Sequence, residues 1–212
     1  MLTATILILS LFKLFFIFSK LRITKLIMFI KKEKYFFYIN NTKSINLNLI
    51  KKKLNIAIIY RNYSKNESLK QIIKFRKDCK QKKYKFYIAN DFRLAKKCKS
   101  DGLYLSAFNK KYYHNIELIG SAHNFKEISQ KIKQNCKTIF LSRLFNVSYK
   151  LNKSFFGVIK FNLILKMYNV NIIPLGGIKN DNLLSLNLLN CNGIAIFREI
   201  KKKPAITSRL FN

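Results

Sequence analysis

Eight short runs rich in β-branched and aromatic residues recur along the chain, each followed by a more polar stretch, and this alternation limits the fold more than any other feature. The runs are YFFYI (35–39), IAIIY (56–60), KFYIA (85–89), GLYL (102–105), IELIG (116–120), TIFL (138–141), NIIPL (171–175) and GIAIF (193–197). Such runs read as buried strands, and the segments between them carry helical spacing. Between Glu67 and Lys80, the residues Leu69, Ile72, Ile73, Phe75 and Cys79 recur on one side; Phe125, Ile128 and Ile132 do the same later. After the first run, Ile45, Leu47 and Leu49 mark a third stripe. Strict β–α alternation predicts a parallel sheet. Eight units within residues 33–204 predict a single α/β domain, a (β/α)8 barrel. A doubly wound open sheet is the alternative. The segment after GLYL is too short for the longer helices that an open sheet of this size would carry.

Glycine is scarce, with six in 212 residues, so each position asks for a reason. Gly120 and the adjacent pair Gly176–Gly177 are expected at the carboxyl ends of strands five and seven, the face on which barrels carry their sites. A helix beginning near Asn180 would add partial positive charge there, and bare backbone N–H groups close well around a phosphate. A tight strand-to-helix turn without ligand explains the pair equally. Gly102 and Gly193, in SDGLYL and CNGIAIF, read as turn residues at strand entries.

The formal net charge is +33, which suggests a polyanion partner. Only seven of the 42 basic residues are arginines, however, and nucleic-acid interfaces favour the arginine fork. The abundance of Lys, Asn, Ile, Phe and Tyr matches A- and T-rich codons. A lysine-coated, solvated surface is therefore expected, with no nucleic-acid partner, and its field favours small anions. Cys79, Cys98, Cys136 and Cys191 lack metal or redox spacing and read as buried helix thiols in a reducing compartment.

Residues 1–30 form an apolar leader outside the barrel pattern. Residues 2–18 are almost wholly apolar, interrupted by Lys13. A spanning helix needs about 20 apolar residues, and a central lysine costs about 3 kcal/mol. No positive charge precedes the run, unlike a signal peptide. The reading favoured is translation starting at Met28 and a cytoplasmic protein. The alternatives are an interfacial helix or an inner-membrane tether through residues 1–27, and membrane contact is expected only if the leader is retained.

Four stretches in order resemble the thiamine phosphate synthase/TenI family: FYIANDFRLAKKCKSDGLYLS (86–106), LIGSAHNFKEISQ (118–130), IIPLGGIKNDNL and NGIAIFREI (192–200). Each is loose, but their order and spacing hold over residues 35–200. The resemblance implies a TIM barrel that couples hydroxymethylpyrimidine diphosphate to thiazole phosphate with Mg2+, or, in the TenI branch, one that isomerises the thiazole. It implies that Asp91 ligates Mg2+, that Asn90, Arg61, Ser121 and Lys150 meet the diphosphate, and that Gly176 and Gly177 hold the thiazole phosphate. His123 matches the TenI-branch histidine, a general base. Arg198 stands near a usual phosphate-binding serine and supplies a cation instead. Asp91 also suits a helix cap.

The chain departs from the pattern in several places. Ile59 replaces Gln and Tyr63 replaces Lys in the strand-two motif; Asn109 stands where a second Mg2+-binding Asp is expected; Tyr104 replaces a His; and the Thr-rich stretch before Lys150 reads FNVSY. Three functions are expected in turn: the coupling transferase, a thiazole tautomerase, and a non-catalytic barrel that binds phosphometabolites. The partners expected are small phosphorylated substrates. Self-association is left open.

Overall fold

The computed structural model describes residues 32–50, 55–61, 67–147, 154–179 and 182–197. Within them eight parallel strands close a barrel in sequence order. They are β1 (Lys34–Ile39), β2 (Asn55–Tyr60), β3 (Lys85–Ala89), β4 (Gly102–Leu105), β5 (Leu118–Ala122), β6 (Thr138–Ser142), β7 (Asn171–Leu175) and β8 (Gly193–Phe197). Closure is direct: Lys34 of β1 sits beside Asn55 of β2 on one side and Gly193 of β8 on the other. The expected barrel is thus the observed one, and the open sheet is excluded. The leader, like Tyr63, Lys150 and Arg198, lies outside the described residues. Among those described, no helix is long and apolar enough to cross a membrane.

Alternation of side chains along each strand produces two cores. Phe36, Tyr38, Ala57, Ile59, Tyr87, Tyr104, Ile119, Phe140, Ile173 and Ala195 point inward and fill the barrel. Their neighbours in sequence point outward and pack under the helices, as Ile56, Ile58, Phe86, Ile88, Ile139 and Leu141 do. The interior is aromatic. Phe140 meets Phe36 edge-on at 4.8 Å and Tyr38 at 5.8 Å, the geometry that aromatic quadrupoles prefer.

The outer layer includes α1 (Leu69–Gln81), α2 (Phe92–Lys97), α3 (Phe125–Lys133) and α4 (Gly157–Met167). Helix α1 starts with a reciprocal capping box between Ser68 and Gln71, and buries Ile72, Phe75 and Cys79 as its spacing predicts. Three expectations need correction. Residues 42–49 form two short 3-10 turns, not a helix, because Asn46 accepts from the Asn48 backbone in a local turn. In α3 the buried side chains are Ile128 and Lys131, while Phe125 and Ile132 stay largely exposed. After the glycine pair, the described segment is a 3-10 turn (Leu184–Leu188), so little helix dipole is available there. Helix α4 has no polar side to reveal it in the sequence; GVIKFNLILKM is apolar nearly all round.

Strand β5 runs two residues later than expected, over Leu118–Ala122. Glu117 directly precedes it at the amino end of the barrel, where its carboxylate accepts from Tyr87 Oη at 2.6 Å and Lys85 Nζ at 3.0 Å. Gly120 therefore sits in mid-strand, not at the mouth. A Cβ there would lie 2.7 Å from Lys131 Cδ and 3.1 Å from Cys136 Sγ, so the glycine makes room for a buried lysine. Gly102 and Gly193 likewise serve space and not turn geometry. Neither has a positive φ. A Cβ on Gly102 would meet the Glu117 carbonyl at 2.5 Å, and one on Gly193 the Lys34 carbonyl at 2.8 Å. The four cysteines are buried free thiols, although Cys98 lies just past the end of its helix and Cys136 and Cys191 lie in connections. Burial pushes the Cys79 thiol up to about 12 and Cys136 to about 11, so neither is a ready nucleophile.

Candidate active site at the carboxyl mouth

Parallel strands place their carboxyl ends on one rim, and the residues just beyond each strand bring chemistry to it. Arg61 succeeds β2, Asn90 and Asp91 succeed β3, His123 succeeds β5, Arg143 succeeds β6, and Gly176–Gly177 succeed β7. Arg61 donates its backbone N–H to the Ile39 carbonyl, which holds the rim between β1 and β2. Its guanidinium carbon lies 4.9 Å from the Tyr38 ring centre and 5.8 Å from that of Tyr104. Those rings meet edge-on at 5.5 Å, so a cation rests on an aromatic floor. Tyr104, at the position where the resemblance expects a histidine, pairs its hydroxyl with Ser121 Oγ at 2.9 Å inside the barrel. Ser121 thus lies beneath the rim, 5% exposed, joined to Arg61 through Tyr104.

Asn90 takes the left-handed conformation at φ +57, a region that Asn tolerates better than most residues. Its Oδ1 accepts from the Ser106 backbone at 2.9 Å and from Asn109 Nδ2 at 3.1 Å, tying the rim of β3 to that of β4. Asp91 caps α2: its Oδ1 accepts from the Leu94 N–H at 2.8 Å. The capping role is therefore real, and it occupies one carboxylate oxygen. Asn109 is held from behind. Lys131, 0% exposed, crosses β5 over Gly120 and donates to the Asn109 carbonyl at 2.7 Å and to Gln134 Oε1 at 2.9 Å. Gln134 Nε2 donates to the same carbonyl and to that of Lys111. Burial holds the Lys131 ammonium below the usual lysine range.

His123 immediately precedes the N-cap of α3 and lies beside the Phe108 ring, centres 6.3 Å apart. Its Nδ1 is 2.9 Å from Glu127 Oε2, which also accepts the His123 backbone N–H at 2.7 Å. On the far side of the rim, the glycine pair is genuinely constrained. Gly176 and Gly177 have φ of +93 and +73, and a Cβ on Gly177 would lie 2.2 Å from the Phe145 carbonyl oxygen. Phe145 N–H donates to the Gly176 carbonyl, and Asn182 Nδ2 to that of Gly177. The pair lets the loop after β6 press against the loop after β7, which brings Arg143 beside Gly176.

Of the residues expected at the site, Arg61 and Ser121 share Tyr104, and Asn90 and Asp91 stand next to them on the rim. His123 joins this side through the β4 loop residue Phe108. The glycines lie across the mouth with Arg143. Sequence reasoning missed Tyr38, Tyr104 as a partner, Arg143, Glu127 and Lys131. Arginine directly after the TIFLS strand was a readable signal; a lysine buried behind a glycine was not. Among the described residues no group of three His, Cys, Asp or Glu side chains converges on a metal site. Asp91, exposed and with one oxygen uncommitted to the cap, suits a Mg2+ that takes its other ligands from water and substrate phosphates, not an all-protein cage.

Known proteins resemble this chain in sequence and in fold. The thiamine monophosphate synthase family model matches residues 28–200. The thiamine-phosphate synthase of Prochlorococcus marinus strain AS9601 is 26% identical over 207 residues, covering 92% of this chain and 55% of that protein. The enzyme of the same name from Prochlorococcus marinus subsp. pastoris is 29% identical over 153 residues, covering 69% of this chain and 41% of that protein. The chain thus spans about half the length of these curated relatives. The thiamine phosphate pyrophosphorylase structure from Pyrococcus furiosus superposes with a TM-score of 0.63 at 16% identity, covering 80% of this chain and 87% of that one, a likeness of fold. With its ordered motifs carried on a closed parallel barrel, the chain belongs to the thiamine monophosphate synthase family.

Proposed function

We propose that the protein couples hydroxymethylpyrimidine diphosphate to thiazole phosphate, forming thiamine phosphate and releasing diphosphate. The observation that carries this reading is the adjacency of Arg61, Asn90 and Asp91 on neighbouring strand ends. As the carbon–oxygen bond to diphosphate breaks and the thiazole nitrogen bonds the same carbon, negative charge grows on the leaving group. The Arg61 guanidinium, propped on Tyr38 and Tyr104, is the cation that stabilises that charge. Asn90 orients the diphosphate, with its own amide fixed by Ser106 and Asn109. Asp91 is the carboxylate that would hold Mg2+, and the ion would neutralise phosphate oxygens when bound. The N–H groups of Gly176 and Gly177 are the donors for the thiazole phosphate, with Arg143 beside them. Lys150 and Arg198 are further cations proposed for the diphosphate and phosphate. Ser121 acts from below through Tyr104.

The test is to incubate the full chain with both substrates and Mg2+. Thiamine phosphate is expected, and Arg61→Ala should lower kcat/KM by roughly a hundredfold, the usual cost of one preorganised charge donor. No product from the wild type rejects the reading. Asn109→Asp, which supplies the second carboxylate, should lower the Mg2+ concentration needed for half-maximal rate.

A second reading, isomerisation of the thiazole, is favoured by one observation: His123 is held by Glu127. There His123 takes a proton from the ring precursor and returns it at a different atom. Undiminished isomerisation in His123→Ala would dismiss that role.

A further inference from the structure

We propose that Glu127 is a positioning residue that fixes the tautomer of His123, keeping hydrogen on Nδ1 and presenting Nε2 as the proton acceptor. The inference rests on the isomerising reading of the site and deepens it. Glu127 Oε2 faces both the His123 backbone N–H, at 2.7 Å, and ring Nδ1, at 2.9 Å. A carboxylate only accepts hydrogen bonds, so the ring nitrogen facing it carries hydrogen. The carboxylate also meets the helix cap. Glu127 occupies the third position of α3, its N–H is capped by Asn124 Oδ1 at 2.9 Å, and its Oε1 accepts from Asn124 Nδ2 at 3.2 Å. Among the described residues nothing hydrogen-bonds to Nε2. The ring is half-exposed with Phe108 alongside, so that nitrogen remains reachable.

The chemistry grows out of this pairing. Free imidazole places its hydrogen on either nitrogen, and only the bare nitrogen can take a proton. Holding hydrogen on Nδ1 removes the wrong tautomer before substrate arrives. When Nε2 accepts a proton, the imidazolium formed lies against the Glu127 carboxylate, which stabilises it. Returning that proton to another atom of the substrate restores the neutral ring, with no net gain or loss. Glu127 touches no reacting atom in this scheme; it acts through His123.

Nitrogen-15 NMR of the labelled full chain tests this, because the chain has only two histidines, His114 and His123. At a pH where the ring is neutral, the His123 signals should report hydrogen on Nδ1. Glu127→Ala should move the tautomer ratio roughly tenfold or more toward Nε2–H, the size of one charge-assisted hydrogen bond. Asn124→Ala, which removes the helix cap but leaves the carboxylate, should retain the Nδ1–H form. Three results overturn the proposal: an Nε2–H ring in the wild type, an unchanged ratio in Glu127→Ala, or an equal shift in Asn124→Ala. The spectra need no turnover. A chain with the expected tautomer but no isomerisation would refute the functional reading and leave the positioning role standing.

Discussion

At the amino end of the barrel, Glu117 commits one carboxylate oxygen to Tyr87 and the other to Lys85, and Gly102 gives up its side chain so that they can meet. At the carboxyl end, Arg61 rests on aromatic faces, His123 is half-exposed, and Asn90 and Asp91 lie open to solvent. The same barrel thus closes one end on itself and keeps polar groups accessible at the other. The difference teaches where stability and chemistry are separated: the floor satisfies its own charges, while the mouth holds groups that a ligand can complete. Setting one end against the other by mutation can break or sharpen this contrast.

The largest effect is expected from filling the glycines. Gly102→Ala would push a Cβ to within 2.6 Å of the Tyr87 ring and 2.5 Å of a backbone oxygen, which has little freedom to retreat. Urea unfolding should show a loss of about 3 kcal/mol. At the mouth, Gly176→Ala meets nothing nearer than 3.5 Å, and its cost comes from φ of +93, about 1–2 kcal/mol. A reversed order would show that the floor is the looser end.

Next comes Glu117→Gln, expected to cost about 1–2 kcal/mol at neutral pH, discounted because the ion pair is partly exposed. Tyr87 and Lys85, with Lys34 nearby, hold the Glu117 carboxyl below its usual range despite the opposing effect of burial. On acidification the unfolded chain takes up this proton first. The stabilisation is therefore present above the ordinary glutamate range and is lost as pH falls through the lower folded value. Wild type and variant should begin to converge in stability below about pH 4 and meet once pH is below the folded value. A gap that persists in acid would mean that shape, not charge, holds the floor.

The smallest effect belongs to the mouth. Ser121→Ala leaves the buried Tyr104 hydroxyl without its partner and should cost about 1 kcal/mol. Replacing Tyr104 by Phe as well should recover part of that loss in a double-mutant cycle. Additive losses would mean that the two hydroxyls are not coupled.

Strand order and the barrel were legible because short apolar, β-branched runs are a local signal. Helix α1 was legible for the same reason, with its capping Ser68 and apolar stripe. Strand β5 was misjudged because Ile116 and Glu117 continue the alternation, while the pairing with β4 begins only at Leu118. Helix α4 gave no amphipathic pattern. The places of Arg61, Asn90, Asp91 and His123 at the carboxyl rim were readable from motif order. Their supports were not. Nothing local shows that Tyr104 reaches Ser121, or that Lys131 is buried.

Lys131 and Gln134 grip the β4 loop by main-chain oxygens, those of Asn109 and Lys111, and not by any side chain of that loop. A tether of this kind is blind to sequence. Residues 109 and 111 can be exchanged by mutation while the strap keeps hold of the same atoms. Asn109→Asp would keep that hold on the main chain and give up the side-chain bond to Asn90 Oδ1.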